Sequence, residues 1–163
     1  MLRAAVRLAT GSRPIRAGPI ARTLKMDITP APKGFTEVIL IESGVGTDQH
    51  GQDLTKACVR ACKDAISFNS IPSLERLVPG GAGSALLRLQ LAVPFDVQPD
   101  GVATPPTIDM EQVAECFAYG KLLPVELVHG GARFESMCSV PSLGDSASDS
   151  SWVYAIACVT VGY

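Results

Sequence analysis

The sequence predicts an α+β fold, a layered sandwich with one mixed β-sheet and two helices on one of its faces. Two observations predict it. Apolar segments with strand character alternate with amphipathic segments with helical character, in the order β-α-β-α-β-β. The last segment, residues 152–161, is apolar on both of its faces. Because two helices can cover only one face of a sheet, we expect self-association to bury the other face.

The first strand is predicted over residues 37–43, where four consecutive apolar residues are typical of a strand buried on both faces. A glycine-rich loop that begins at residue 44 leads into a helix over residues 52–68. Small residues on the apolar side of this helix would let it lie close to the sheet. Pro72 prevents its continuation. The predicted apolar stripe consists of Leu54, Ala57, Cys58, Ala61 and Ala65.

The second strand is predicted from the alternation of apolar and polar residues over residues 86–93. A second helix is predicted over residues 109–120, where Asp109 fits a capping box with Gln112 and Gly120 is a suitable C′ residue. The remaining predicted elements are a strand over residues 124–131, a Ser-rich mobile loop over residues 139–151 and a last strand over residues 152–163.

The first 26 residues differ from the rest of the chain in composition. They contain six of its 14 basic residues and none of its 16 acidic residues. This is typical of an organelle-targeting presequence, so we expect the mitochondrial matrix as the location, with the plastid stroma as the alternative. A disordered basic tail is the other interpretation. Residues 27–36 are predicted to form a linker, and residues 37–163 a single globular domain.

The rest of the chain is acidic, with 8 basic and 16 acidic residues. This balance disfavours nucleic acid as a partner, because phosphate binding requires clustered Lys and Arg. The longest apolar stretch has ten residues, whereas a membrane-spanning helix needs roughly 20, so we expect no membrane partner. The five cysteines include no CxxC pair and are expected to be small core residues rather than disulfides or zinc ligands.

Titratable residues are concentrated around the glycine-rich loop. Histidine can act as a base, an acid or a ligand near neutral pH, and a neighbouring carboxylate can orient its ring. Lysine and arginine one helical turn apart can hold a carboxylate. We therefore expect catalytic roles for His50 and Asp48 if the protein is an enzyme. The residues expected to bind substrate are Asp53, Lys56, Arg60, His129, Gly46 and Gly51.

The same residues have structural interpretations. Asp48 could close a turn, Asp53 favours the first turn of a helix, and each histidine could pack or cap a loop. A dinucleotide-binding GxGxxG motif fails at Gln49, and no P-loop is present. A metal site would need His50, Asp48 and His129 to converge, so we expect none, and no cofactor is indicated.

Four segments, "GVGTDQHGQDLTKACVRACKDAI", "NSIPSL", the HGG of "VHGG" and the terminal "ACVTVGY", resemble a conserved-hypothetical family first named from a Listeria open reading frame. The resemblance covers about residues 37–163. It implies no activity and no catalytic residues, because the family has none assigned. More distantly, the element order resembles chorismate-mutase-like trimers and the repeats of ring-opening amidohydrolases, which implies ligand sites between subunits.

The sequence therefore favours a small organellar homo-oligomer with a site for a small polar metabolite at subunit interfaces and, if it is an enzyme, acid–base chemistry at His50. The number of subunits stays open, and a trimer or a larger assembly is one possibility. Whether it is an enzyme stays open. The alternatives are a non-catalytic ligand-binding or assembly protein and a subunit of a larger organellar complex.

Overall fold

A six-stranded mixed sheet forms the centre of the computed structural model, which describes residues 29–67 and 69–163. Strand β8, Ser151–Gly162, lies in the middle of this sheet. It pairs antiparallel with β1, Val38–Asp48, along one edge and with β2, Leu86–Val93, along the other. Because β1 and β2 both run antiparallel to β8, they point the same way, and their carboxyl ends lie at the same end of the sheet.

Three helices and five shorter strands complete the fold of the described residues. They are α1 Leu54–Ser67, α2 Leu74–Leu77, β3 Asp96–Val97, β4 Ala103–Thr104, α3 Met110–Ala114, β5 Lys121–Leu122, β6 Glu126–His129 and β7 Ala132–Glu135. Strands β5 and β6 pair parallel with β2, β7 pairs antiparallel with β8, and β3 and β4 form a separate two-stranded sheet. The predicted α+β class with one mixed sheet is confirmed.

Helix α1 lies directly on β1 and β8, and small residues on both elements permit this close approach. Gly44 and Gly46 of β1 face the helix backbone. A Cβ atom at Gly46 would lie 2.9 Å from the carbonyl carbon of Arg60, and closer still to backbone atoms of two alanines. The expected close packing of the helix on the sheet is confirmed. The buried residues of α1 are Ala57, Cys58, Ala61, Cys62 and Ala65.

Two expectations for the first strand are wrong. Residues 44–48 continue β1 instead of forming a loop. The strand is not buried on both faces either, because Ile41 is 65% exposed and Val45, on the same face, is 53% exposed. Glycine has low strand propensity, which favoured the loop interpretation, but here Gly44 and Gly46 make room for a helix.

The second helix begins as predicted at Asp109, whose Oδ1 accepts the N–H groups of Glu111 and Gln112. It is shorter than expected and ends at Ala114. The Ser-rich segment 139–151 contains a 3₁₀ turn, Pro141–Leu143, and one buried carboxylate, Asp145. The presequence expected over residues 1–26 lies outside the described residues.

The alternation predicted for β2 and β8 is confirmed by burial. Leu87, Leu89 and Leu91 face α1 together with the odd-numbered residues of β8. The even-numbered residues of β8 point to the opposite face, where Ile156 is 41% exposed and Thr160 is buried. Within the described residues, no helix is both long and apolar enough to cross a bilayer.

The cysteines divide between core and surface. Cys58 and Cys62 lie in the core as expected, and burial raises the pKa of each thiol to about 12. Cys138 is exposed, so the expectation of a core position is wrong for it. No three His, Cys, Asp or Glu side chains within residues 29–67 and 69–163 are grouped so that they could hold a metal ion.

Candidate functional site

An open cleft of about 430 Å³ lies beside the carboxyl end of β1, where the chain turns toward α1. Residues before and after this turn contribute its polar side chains, and α1 contributes two cations. The segment 139–151 adds one apolar residue to the wall. The lining residues are Thr47, Asp48, Gln49, His50, Lys56, Arg60 and Leu143.

Asp48 places a carboxylate at the base of the cleft, and its side chain is only 2% exposed. Oδ1 lies 2.8 Å from Nζ of Lys56 and 3.1 Å from a guanidinium nitrogen of Arg60. Oδ2 accepts the backbone N–H of Asp53 at 3.1 Å. A buried carboxylate is costly without partners, and these three contacts supply partners to both oxygens of Asp48.

Arg60 has a second role at the edge of the sheet. Its guanidinium also donates to the backbone carbonyl of Thr47, and the Asp64 carboxylate accepts the N–H of Val45 at 2.9 Å. Both backbone groups point outward from the edge strand β1, where unpaired groups could recruit another strand. Helix α1 therefore caps this part of the edge with two side chains one turn apart.

His50 is held by Asp145, a residue 95 positions later in the chain. The ring nitrogen Nδ1 lies 2.9 Å from Oδ2 of Asp145, and the His50 side chain is 28% exposed. Because an ionised carboxylate only accepts hydrogen bonds, Nδ1 carries the proton in this pair. In the neutral ring, Nε2 then keeps its lone pair, and it has no hydrogen-bond partner within the described residues.

Four donors converge on the Asp145 carboxylate, whose side chain is 1% exposed. The backbone N–H of Val140 donates at 2.7 Å, that of Gly51 at 2.9 Å, and Nε2 of Gln52 at 3.0 Å, in addition to His50. These bonds hold the pKa of Asp145 well below its usual range. The bond from Val140 lowers it most, and the bond from His50 comes next. Asp145 is therefore an ionised, fixed acceptor for the imidazole.

Gln52 connects this arrangement to the first residue of β8. Its Nε2 donates to Asp145 and, at 3.0 Å, to the carbonyl of Ser151. Gln52 has a φ of 51°, in the left-handed region that residues other than glycine seldom occupy. Gly51, next to it, has a φ of 85°. The loop thus takes a turn that directs both the amide of Gln52 and the N–H of Gly51 at one carboxylate.

Four of the predicted site residues come together in the cleft: Asp48, His50, Lys56 and Arg60. Three others have structural positions near it. Asp53 caps α1, since its Oδ1 accepts the N–H of Lys56 at 3.0 Å. Gly46 lies beneath α1, and Gly51 forms the turn that contacts Asp145.

His129 does not line this cleft. It lies on β6, three strand positions from β1 across the sheet, a separation of roughly 14 Å at ordinary strand spacing. Its Nδ1 accepts the N–H of Phe95 at 3.1 Å, and the two rings meet edge to face with centroids 5.3 Å apart. Within one chain the two histidines do not converge.

Asp145 is the site residue that sequence reasoning missed. A carboxylate near His50 in the sequence was one candidate to orient its ring, but Asp145 holds the ring, and Asp48 binds Lys56 and Arg60 instead. Asp145 follows Gly144, which has a φ of 101°. An aspartate after a glycine in a serine-rich segment is also an ordinary loop signal, so nothing local separated it from its neighbours.

The fold and the cleft define a small α+β domain with a carboxylate-oriented histidine beside two cations. The chain belongs to the family described as "Conserved hypothetical protein (Lin0512_fam)", whose model matches residues 38–161. The family resemblance read from the sequence is thereby confirmed.

A solved structure gives a second comparison. The chain is similar to a protein from Nostoc punctiforme PCC 73102, described as an FtsZ-like protein of unknown function, with 28% sequence identity and a TM-score of 0.62. The match covers 77% of this chain and 93% of the other. No curated protein matches the chain.

Proposed function

We propose that the cleft binds a small anionic metabolite and that His50 exchanges a proton with it through Nε2. The single observation that carries this proposal is the pairing of His50 with Asp145 beside Lys56 and Arg60. An imidazole whose Nδ1 is held by a fixed carboxylate has a defined tautomer and direction, as a general base requires.

The two cations support an anionic ligand. Lys56 and Arg60 are each about half exposed, and both are held in place by the single negative charge of Asp48. Both cations contact the same carboxylate oxygen, Oδ1 of Asp48, and both line the cleft. The guanidinium group of arginine carries five donor N–H groups. In Arg60 a single nitrogen, Nη1, makes the hydrogen bonds to the Thr47 carbonyl and to Asp48. The other nitrogens remain available to a carboxylate or phosphate.

The test uses the fact that the chain has only two histidines. Nitrogen NMR of the neutral rings should show the proton of His50 on Nδ1 and that of His129 on Nε2, because His129 accepts a bond at Nδ1. Addition of succinate, citrate or inorganic phosphate at millimolar concentration should then shift the signals of His50 and leave those of His129 unchanged.

Matched variants decide whether the cations hold the probe. Lys56→Gln should weaken the response of His50 to these anions, whereas Lys121→Gln, at an exposed position outside the cleft, should not. If none of the probes shifts His50, or if both variants respond like the wild type, the site does not bind anions as proposed.

A structural role is the second candidate, and one observation favours it: every charged group at the site already has a partner within the chain. His50→Ala distinguishes the two. A binding site predicts that the variant keeps its fold and that anions no longer raise its melting temperature as they do in the wild type. A structural loop predicts an early thermal transition that the anions still shift.

The wider setting is also a proposal. The acid-free, basic first 26 residues support an organelle location, with the mitochondrial matrix preferred to the plastid stroma. In that compartment the chain would act as a homo-oligomer with a small polar metabolite as ligand. His129 of a neighbouring copy could then join His50.

A further inference from the structure

The face of the sheet opposite α1, here called the open face, has one apolar half and one polar half. The apolar half lies toward the carboxyl ends of β1 and β2. One row of directly paired residues crosses four strands there: Val45, Ile156, Ala92 and Val128. A second row continues it with Thr47, Tyr154 and Ala132, and Trp152 pairs with Phe134 beyond that.

These apolar side chains are unusually exposed for a sheet interior. Phe134 is 57% exposed, and Ile156, in the central strand, is 41% exposed. Phe134 and Tyr154 meet edge to face with ring centroids 5.4 Å apart, so the aromatic groups form a firm surface. Contiguous apolar surface of this kind in a soluble domain marks an interaction site.

The polar half of the open face is internally satisfied. Arg88 makes two bonds to the Glu126 carboxylate, at 3.0 and 2.7 Å, and Gln90 donates to the same carboxylate at 2.9 Å. These groups already have their hydrogen bonds and need no partner. An apolar, aromatic patch beside a satisfied polar margin has the composition of a protein interface with its core and rim.

We propose that the apolar half of the open face, Val45, Ile156, Ala92, Val128, Tyr154 and Phe134, is an interface with a second copy of this chain. The area is adequate when the polar half is buried as the rim around this apolar core. Four strands at about 4.8 Å spacing and the length of β8 give the whole open face roughly 700 Å² in projection. The corrugated accessible area of the whole face is larger, and a stable complex needs about 800 Å² per partner.

A second copy fits better than a charged partner. The apolar half offers no unpaired charge to recognise an acidic or basic surface, and two flat sheet faces pack well at about 10 Å. Identical faces also satisfy the requirement of a two-fold contact, in which the same patch occurs on both sides. Thr47 lies in the apolar half and also lines the cleft. The second copy therefore approaches the rim of the cleft.

The test is the mass of the full chain in solution by light scattering at micromolar concentration. The wild type should have at least twice the mass of one chain. Ile156→Lys and Val45→Lys should each shift it to the monomer. Val97→Lys is the matched control, because Val97 is an equally apolar, exposed residue on the separate β3–β4 sheet, and it should leave the mass unchanged.

The outcomes are distinct. Circular dichroism and thermal melts check that each lysine variant is folded, and Val45, on an edge strand, is the variant less prone to unfold. A monomeric wild type overturns the proposal, whether the face is bare or covered by the chain's own first residues. So does an oligomer that persists in folded Ile156→Lys and Val45→Lys. Neither result bears on whether His50 responds to anions, so this proposal and the proposed function fail separately.

Discussion

Gly46→Ala tests the close packing of α1 on β1 that creates the cleft. The new Cβ would lie 2.9 Å from the carbonyl carbon of Arg60, whereas carbon atoms ordinarily stay about 3.5–4.0 Å apart. It would lie closer still to the Ala57 oxygen and the Ala61 nitrogen. All three atoms belong to the helix backbone and cannot rotate away as a side chain would. The helix must therefore recede by about 1 Å.

The magnitude follows from this displacement. Overpacking a close-packed core costs about 1–3 kcal/mol and sometimes more. Because the clash is with backbone, we expect the upper end, about 3 kcal/mol. The lost chain entropy of a glycine offsets this by at most about 1 kcal/mol. For a domain of this size the melting temperature should fall by roughly 10 °C.

Urea unfolding followed by circular dichroism measures the effect, with Gly83→Ala as the control. Nothing lies within 4 Å of a Cβ at Gly83, and its backbone needs no left-handed conformation. The control should change the free energy of unfolding by no more than about 0.5 kcal/mol. If Gly46→Ala is as stable as the control, the helix does not depend on that glycine, and the account of β1 is refuted.

Three further predictions follow from the same structure. Asp145 has a folded-state pKa below its ordinary value, so its contribution to stability is present above about pH 4 and is lost as the pH falls; thermal melts from neutral to acid pH should therefore show a shallower loss in Asp145→Asn than in the wild type. Exposed Cys138 should react with a thiol reagent in the folded protein, whereas Cys58 and Cys62 should react only on unfolding, which a time course of labelling by mass spectrometry measures. Residues 1 to about 26 should be missing from protein isolated from the organelle, and N-terminal sequencing that finds Met1 would contradict the presequence.

The sequence predicted the parts of the fold that depend on periodic patterns. Alternation in residues 86–93 and the small-residue stripe of α1 gave the correct buried faces, because side-chain direction follows directly from the period of a strand or a helix. The pattern failed for residues 44–48. There the glycines serve a neighbouring element instead of their own, and tertiary contact overrides local propensity.

The part of the candidate site that comes from one continuous stretch of the chain was predictable from the sequence. Asp48, His50, Lys56 and Arg60 lie within 13 residues of one another in the chain, and a strand, a turn and one helix bring them together. Asp145 was not predictable, because the contact with His50 spans 95 residues and depends on how segment 139–151 folds back over the loop. His129 was included for its residue type alone, and the strand order places it elsewhere.

The glycines of β1 connect the fold to the site. Lys56 and Arg60 reach Asp48 only because α1 lies directly on the strand, and this close approach requires Gly44 and Gly46. A larger residue at either position would move both cations away from the buried carboxylate and weaken the contacts that stabilise it there. The His50–Asp145 pair depends on the turn after the strand instead and would persist. The cleft is therefore built from two separable parts: a charge cluster fixed by helix packing and a histidine fixed by a loop.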